Sequence, residues 1–103
     1  RNQVRELRRR CVSEFAFVYV LGSVRGSERR TYVGWCLDLD KRLNAHNTGA
    51  GARSTRGRSW KLLYAERHVS RREAMRREVF LKRERTFRAA LAQALDPPTG
   101  KTP

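Results

Sequence analysis

Tyr19 and Tyr32 are the residues of this 103-residue chain whose type and spacing most suggest chemistry. Each lies in a run of aromatic and β-branched residues, which is typical of a β-strand. A hairpin whose turn centres on Arg25 and Gly26 would place the two tyrosines directly opposite each other on one face. Neighbouring phenols could position a phosphate group and accept a proton from water. The alternative is that both rings fill a hydrophobic core, as tyrosines in strands often do.

Arg42 and His46 lie one turn apart on a predicted helix, which Asp38 would cap and Asn47 with Gly49 would end. Both side chains can therefore point into one cleft beside the hairpin. There Arg42 could contact phosphate, and His46 could contact a substrate or exchange a proton. The alternatives are a surface ion pair between Arg42 and Asp38 and a structural role for His46.

Glu78 lies on a second predicted helix among apolar neighbours. At helical spacing its face includes Ala74, Met75 and Leu81, so the carboxylate should border the hydrophobic core. A partly desolvated carboxylate beside a phosphate-binding cleft is suited to a divalent cation, and Mg²⁺ is commonly held by one or two carboxylates with waters and phosphate. The alternative is an ordinary helical ion pair with Lys82.

The charge of the chain indicates a polyanionic partner. Lys and Arg number 24 against 10 Asp and Glu, which gives a formal net charge of +14. Most of these cations are arginines, whose guanidinium groups match phosphate oxygens and stack on bases. Nucleic acid is therefore the expected partner. A membrane surface is the weaker option, because no basic stretch is joined to an apolar run long enough to insert.

The predicted elements give one small α+β domain over 15–95. Two strands form the hairpin, a helix follows Asp38, and residues 48–58 form a mobile basic loop without regular structure. A third strand covers 60–64, and a capping box at Ser70 begins a helix that runs to about Arg83. Thr86 should cap a last helix that Pro97 and Pro98 stop. The apolar stripe of this helix is formed by Phe87, Leu91, Ala94 and Leu95.

The ends of the chain and its cysteines carry less information. Residues 1–14 are expected to be a basic N-terminal segment, and 96–103 a flexible tail. Cys11 and Cys36 are far apart and form no Cys-x-x-Cys pair, which argues against a zinc site or a disulfide framework and fits a reducing cytoplasm. No signal peptide or transmembrane segment is predicted.

The order Phe17-Val18-Tyr19, Tyr32-Val33-Gly34, Arg42, Glu78 resembles the GIY-YIG endonuclease family. The first tripeptide is degenerate, and the second is nearly intact. The stretches 43–52 and 55–56 look like those of the small stand-alone bacterial members and of the nuclease domain of the structure-selective branch nucleases. The resemblance covers roughly 15–83 and implies a three-stranded antiparallel sheet flanked by helices. It also implies hydrolysis of a phosphodiester with one divalent metal, Mg²⁺ or Mn²⁺, and no zinc module.

Carried over residue by residue, the resemblance makes Tyr19 and Tyr32 the motif tyrosines, Arg42 the helix arginine and Glu78 the metal ligand, and we add His46 to this catalytic set. Gly34 should let a ligand backbone approach the phenols. The expected nucleic-acid contacts are Gly34, Asn47, Arg53, Thr55, Arg56 and Arg58. A role in DNA repair or processing would follow.

In the predicted reaction Tyr19 takes the proton from water, Tyr32 positions phosphate or water, and Arg42 stabilises the added negative charge. Because a free phenol has a pKa near 10, Tyr19 would need a nearby cation or would pass its proton to His46. Direct attack by Tyr19 on phosphorus is chemically allowed but not favoured by the sequence. A non-catalytic nucleic-acid-binding module with the same fold is the competing hypothesis, and a basic ribosome-associated protein is a third.

Overall fold

The computed structural model describes residues 15–95, and within this range it shows an α+β fold with one three-stranded antiparallel sheet. The strands are β1 (Ala16–Arg25), β2 (Glu28–Cys36) and β3 (Lys61–His68), in the order β2-β1-β3. The helices are α1 (Leu39–Thr48), α2 (Arg71–Arg83) and α3 (Arg85–Ala92). The predicted fold class is therefore confirmed. The predicted N-terminal segment, 1–14 with Cys11, and the predicted tail, 96–103, lie outside the described residues.

The hairpin turn differs from the prediction by one position. Gly26 and Ser27 form a two-residue turn, and Gly26 has a φ of 61°, which glycine adopts without steric cost. The register consequently pairs Tyr19 with Gly34. The predicted direct opposition of Tyr19 and Tyr32 is wrong. The two tyrosines are diagonal neighbours, and they share a face because their offset is an even number of residues.

The sheet separates two hydrophobic clusters, because alternate side chains of β1 point to opposite faces. On one face Val18 and Val20 pack with Ala74 and Leu81 of α2. On the other face Tyr19 and the residues beside it are covered by α1 and by the loop before β3. The members of this second cluster are Tyr19, Leu21, Cys36 and Trp60, with Phe17, Tyr32, Leu39 and Leu43 packed against them.

Side-chain caps fix the start of two helices as predicted. Asp38 accepts a hydrogen bond of 3.1 Å from the backbone N–H of Lys41 and begins α1. Ser70 accepts one of 3.2 Å from the backbone N–H of Glu73 and begins α2. Gly49, with a φ of 87°, ends α1. These contacts set the direction of the two helices against the sheet.

The last helix begins and ends earlier than predicted. Glu84 is its N-cap residue and makes no side-chain capping bond, so the predicted cap at Thr86 is wrong. The helix ends at Ala92, and Ala94 therefore lies beyond it, although Leu95 is buried. No helix among residues 15–95 is long and apolar enough to cross a membrane.

Candidate functional site

A chain of three hydrogen bonds runs from Tyr19 on β1 into the loop after α1. Tyr19 Oη lies 2.9 Å from His46 Nε2, and His46 Nδ1 lies 2.8 Å from Thr55 Oγ1. Thr55 Oγ1 in turn donates to the carbonyl oxygen of Ala52 over 2.8 Å. Because that hydroxyl proton is used, Thr55 accepts from Nδ1–H of His46. His46 Nε2 then carries no proton and accepts a hydrogen bond from the hydroxyl group of Tyr19.

Burial keeps this pair neutral. Tyr19 is 1% exposed and His46 is fully buried. Burial raises the pKa of Tyr19 to about 12, although the neighbouring Arg42 guanidinium opposes the rise. Burial, with a smaller contribution from the charge of Arg42, lowers the pKa of His46 below its ordinary value. At neutral pH the phenol therefore keeps its proton, and the imidazole offers an unprotonated acceptor.

Tyr32 is the more accessible of the two phenols. It is only partly buried, and its ring centroid lies 6.3 Å from that of Tyr19 and 4.9 Å from that of His46. Trp60 packs edge-on against it, with centroids 6.4 Å apart. The buried Tyr19 and His46 thus form one wall behind Tyr32. Water or a phosphate can reach Tyr32 more readily than Tyr19.

Two glycines make room for this cluster. A Cβ atom at Gly34 would lie 2.5 Å from Tyr19 Oη and 3.0 Å from Tyr32 Cε2. A Cβ atom at Gly51 would lie 2.5 Å from His46 Nδ1. The space above Gly34 is therefore filled by the protein's own phenol. This corrects the reason given from the sequence, which was the close approach of a ligand.

Arg42 connects the phenol cluster to an open cleft of about 420 Å³. Its Nε is buried and has no hydrogen-bond partner among the described residues. The predicted ion pair with Asp38 is not formed within residues 15–95, because Asp38 caps α1. Contact with Tyr19 raises the pKa of Arg42, which keeps the guanidinium charged. The cleft is lined by Trp35, Cys36, Leu37, Asp38, Lys41, Arg42 and Ala45.

Glu78 is half-buried on α2, with 17% of its side chain exposed, and pairs with Lys82 Nζ at 3.3 Å. Of its predicted apolar neighbours, Ala74 and Leu81 are buried, whereas Met75 is 43% exposed. No hydrogen bond or ion pair within 15–95 joins Glu78 to the tyrosines, and no three His, Cys, Asp or Glu residues of that range form a metal cluster. A carboxylate still fits Mg²⁺, which takes waters and substrate phosphates as its other ligands.

The predicted nucleic-acid contacts of the loop divide into two groups. Arg53 and Arg56 are exposed. Arg58 is not, because 6% of its side chain is exposed and it contacts Glu28 Oε1 at 3.3 Å and Ser23 Oγ at 3.1 Å. For Arg53 and Arg56 a contact with nucleic acid stays a prediction. The guanidinium of Arg58 instead joins the loop to the hairpin.

Asn47 and Thr55 also make internal contacts. Asn47 Nδ2 donates to the carbonyl of Trp60 over 3.0 Å, and the backbone N–H of Trp60 donates to Asn47 Oδ1 over 2.6 Å. A short 3-10 turn, Arg53–Thr55, buries Thr55 against His46. The prediction that 48–58 has no regular structure is therefore wrong. These bonds bring the loop over the histidine and hold it there.

Sequence reasoning missed two contributors to the site. Lys41 and Trp35 line the cleft beside Arg42. The position of Lys41 directly before Arg42 on a basic helix was an available signal. No such signal existed for the hydrogen bond between Thr55 and His46, because no local sequence pattern specifies the path of the loop that joins the two residues.

The sequence has relatives. The catalytic-domain profile of the GIY-YIG family matches residues 15–89. A UPF0213 protein of Clostridium perfringens is 43% identical over 68 residues, which is 65% of this chain and 70% of that protein. A UPF0213 protein of Streptococcus agalactiae is 46% identical over 70 residues, with 67% and 76% covered. Their name states no activity. No solved structure matches the chain at a significant level.

Proposed function

This chain belongs to the GIY-YIG family of catalytic domains, and we propose that it is a divalent-metal-dependent endonuclease that hydrolyses phosphodiester bonds in DNA. The family assignment made from the sequence is confirmed, and membership implies a nuclease acting on nucleic acid. The substrate, the metal and a role in DNA repair or processing belong to the proposal. Such an enzyme would act in the cytoplasm, beside the nucleoid in a bacterium.

The observation that carries the proposal is the position of Arg42. Its guanidinium lies beside the phenol of Tyr19 and also lines the open cleft, with a buried Nε that lacks a partner among residues 15–95. An unpartnered buried donor is unfavourable, and a phosphate oxygen would satisfy it. Lys41 on the same rim adds a second positive charge. A phosphodiester in this cleft would therefore lie next to the tyrosines.

The accessibility of the phenols assigns their roles differently from the sequence prediction. Tyr32 is the more exposed of the two phenols. It would first release its own proton to solvent beside the Arg42 guanidinium, and the phenolate would then accept the proton of the attacking water. Tyr19 is buried and its proton is committed to His46, so it would orient Tyr32 from behind. Arg42 would neutralise the negative charge that develops on the phosphate. His46 would remain neutral throughout.

Glu78 is the residue that would hold the metal, although its neighbours Ala74 and Leu81 pack on the face of the sheet opposite the tyrosines. A bound Mg²⁺ or Mn²⁺ would polarise the scissile phosphate and assist the departing oxygen. Glu78 offers oxygen ligands of the type these ions prefer, and its half-buried position limits competition from bulk water. To bind the ion, the carboxylate must give up its contact with Lys82. The exchange costs little, because an ion pair between residues i and i+4 of a helix contributes in general roughly 0.3 to 0.5 kcal/mol, and Lys82 is exposed.

The same contact favours a second candidate function. A carboxylate paired with Lys82 at 3.3 Å is also what a protein without a metal would contain. In that case the basic surface would serve a non-catalytic nucleic-acid-binding module. Binding requires cations alone, whereas cleavage also requires the carboxylate.

The test is metal-dependent cleavage by the parent protein and by Glu78→Gln. The substrates are labelled single-stranded, duplex, flap and junction DNAs, with RNA as a further substrate, each with Mg²⁺, Mn²⁺ or chelator. Glu78→Gln keeps the shape of the side chain and loses the charge, so we expect cleavage to fall below detection while binding persists. Glu73→Gln is the matched control, since Glu73 is exposed on the same helix.

Loss of cleavage in Glu78→Gln with normal cleavage in Glu73→Gln would support the enzyme. Equal cleavage by both variants would remove Glu78 from the site. Binding without cleavage of any substrate by the parent protein would favour the binding module.

A further inference from the structure

A second basic cavity lies on the opposite side of the sheet from the tyrosines. It has a volume of about 310 Å³ and lies between the edge strand β2 and α3. Thr31 lines it, and Thr31 is followed directly by Tyr32, whose side chain points to the other face. The two sites are thus separated only by the thickness of an edge strand. Nothing in the catalytic scheme uses this cavity.

Three arginines line the cavity, and no carboxylate of the described residues does. Arg88 donates to the carbonyls of Leu81 and Lys82 at the end of α2, over 3.1 and 2.7 Å, and to Thr31 Oγ1 over 3.0 Å. All of these acceptors are neutral. Arg88 is therefore fixed in place by its hydrogen bonds while its positive charge stays uncompensated within this part of the chain.

Arg29 and Arg85 complete the cluster from two different elements. Arg29 Nη2 donates to the carbonyl of Leu95 over 3.0 Å, but its Nε is buried and has no partner within residues 15–95. Arg85 lies in the first turn of α3 and is exposed. Guanidinium groups that have no counter-charge among residues 15–95 repel one another, and an unsatisfied buried N–H is unfavourable. An anion with several oxygens would relieve both costs.

We propose that this cavity binds a backbone phosphate of the same nucleic acid that occupies the tyrosine site. The identity of that polymer rests on the proposed function. The lining contains arginines, Thr31, Gln93 and two alanines of α3 but no aromatic side chain, so it offers phosphate ligands and no surface on which a base could stack. Because β2 is an edge strand, a single strand can pass around it from one face to the other. The enzyme would then grip its substrate at two points.

The experiment measures binding by fluorescence anisotropy with chelator present, so that cleavage plays no part. The probes are a trinucleotide and a single-stranded DNA several times longer. The variants are Arg85→Gln, Arg29→Gln and Arg29→Lys, and the matched control is Arg72→Gln, which removes an exposed arginine of α2 outside the cavity. Thermal unfolding of each variant checks that it folds, and Arg85→Gln is the safest because Arg85 is exposed.

For the longer strand we expect Arg85→Gln and Arg29→Gln each to weaken binding several-fold and to lower the slope of log K against log salt by about 0.7. The affinity of Arg29→Lys should lie between that of these two variants and that of the parent, because lysine keeps the charge but not the Nε donor. Trinucleotide binding should not change. In the presence of metal, KM for the longer strand should rise while kcat stays constant.

Equal losses in Arg72→Gln would overturn the proposal, because they would indicate diffuse electrostatic attraction. Losses with the trinucleotide would also overturn it, since the cavity would then belong to the tyrosine site. Inorganic phosphate is the last probe: if it binds the parent and not Arg85→Gln, while long DNA binds both equally, the cavity takes free phosphate and not the substrate. A protein that binds as expected but cleaves nothing would fail as a nuclease without affecting this site.

Discussion

The two faces of the sheet carry two tyrosine–histidine clusters with opposite electrostatics. On one face Tyr19 donates to a bare nitrogen of His46, and His46 is held by a threonine hydroxyl. On the other face Tyr64 and His68 both donate to the carboxylate of Glu66. The residue types are nearly the same. The clusters differ in their third member, which is the neutral Thr55 in one and the charged Glu66 in the other.

The Glu66 cluster has a structural role. Arg77 of α2 donates to both oxygens of Glu66 over 2.9 to 3.0 Å, which ties that helix to β3. Burial alone would raise the pKa of Glu66, but the hydrogen bonds from Arg77, Tyr64 and His68 outweigh it and lower the pKa to about 2. The hydrogen bond to Glu66 is the main reason that the pKa of Tyr64 is raised. So weak a base cannot accept a proton at neutral pH.

In the His46 cluster the hydrogen-bonded groups, Tyr19, His46 and Thr55, are all neutral. The unprotonated Nε2 of the neutral imidazole accepts a hydrogen bond from the Tyr19 hydroxyl, and the Arg42 guanidinium lies beside that phenol. The open cleft lies on this side. The two clusters therefore differ in the group that accepts the tyrosine's hydrogen bond: a neutral imidazole beside the open cleft, and a carboxylate in the structural contact.

The largest expected effect is on the cleavage rate, when a phenol hydroxyl is removed from the face that carries Tyr19 and Tyr32. If Tyr32 accepts the water proton, Tyr32→Phe should lower the single-turnover cleavage rate by roughly a hundredfold to ten-thousandfold. Tyr19→Phe should cost about tenfold, because the ring still supports Tyr32. Tyr64→Phe, the matched control on the other face, should leave the rate unchanged.

A larger loss in Tyr19→Phe than in Tyr32→Phe would reverse this order and return the role of base to the buried phenol, with His46 as its acceptor. A loss in Tyr64→Phe of similar size would remove the distinction between the two faces altogether.

The second effect is on stability in acid. Because the pKa of Glu66 is about 2 in the folded protein and 4.5 ordinarily, its stabilisation is complete above pH 4.5 and disappears as the pH falls toward 2. Glu66→Gln should therefore lower the free energy of unfolding by roughly 2 to 3 kcal/mol at neutral pH. Urea denaturation at stepped pH measures this, and the gap from the parent should close below pH 4.5. A difference in stability that does not change with pH would mean that the charge of Glu66 is not its source.

The smallest effect concerns the anchor of His46. Thr55→Val keeps the shape and removes the acceptor of the Nδ1 proton, which leaves a buried donor unpaired. The free energy of unfolding should fall by about 1 to 2 kcal/mol. Denaturant unfolding measures it against Thr86→Val, an exposed threonine on α3. Equal stability of the two variants would show that Thr55 does not hold the histidine.

Local signals in the sequence predicted most of the fold. The caps at Asp38 and Ser70 depend on residue type and spacing alone, and both helices begin there. The hairpin register depends on one turn position, and a shift of one residue there moved Tyr32 two places along β1. The glycine–serine pair at 26–27 is a known two-residue turn and could have corrected this.

The roles of the site residues could be predicted less well, because they depend on contacts between distant segments. Sequence spacing predicted that Arg42 and His46 point into one cleft, but only Arg42 lines it, because His46 is fully buried against Tyr19 and Thr55. It could not show that Thr55 reaches His46, that Arg58 is buried against the hairpin, or that Tyr19 itself fills the space above Gly34. These facts follow from tertiary packing. They changed which phenol and which arginines are available to a substrate.

The protonation of the two imidazoles tests the central claim most directly, which is that the Tyr19–His46 pair is neutral and has a bare acceptor. The chain contains two histidines, so a ¹⁵N NMR spectrum of the labelled protein at neutral pH shows two rings. We expect His46 to carry its proton on Nδ1 and none on Nε2, and His68 to carry one on Nε2. A proton on Nε2 of His46, or a doubly protonated His46 ring, would show that the pair is not arranged in this way, because Tyr19 would then have no acceptor.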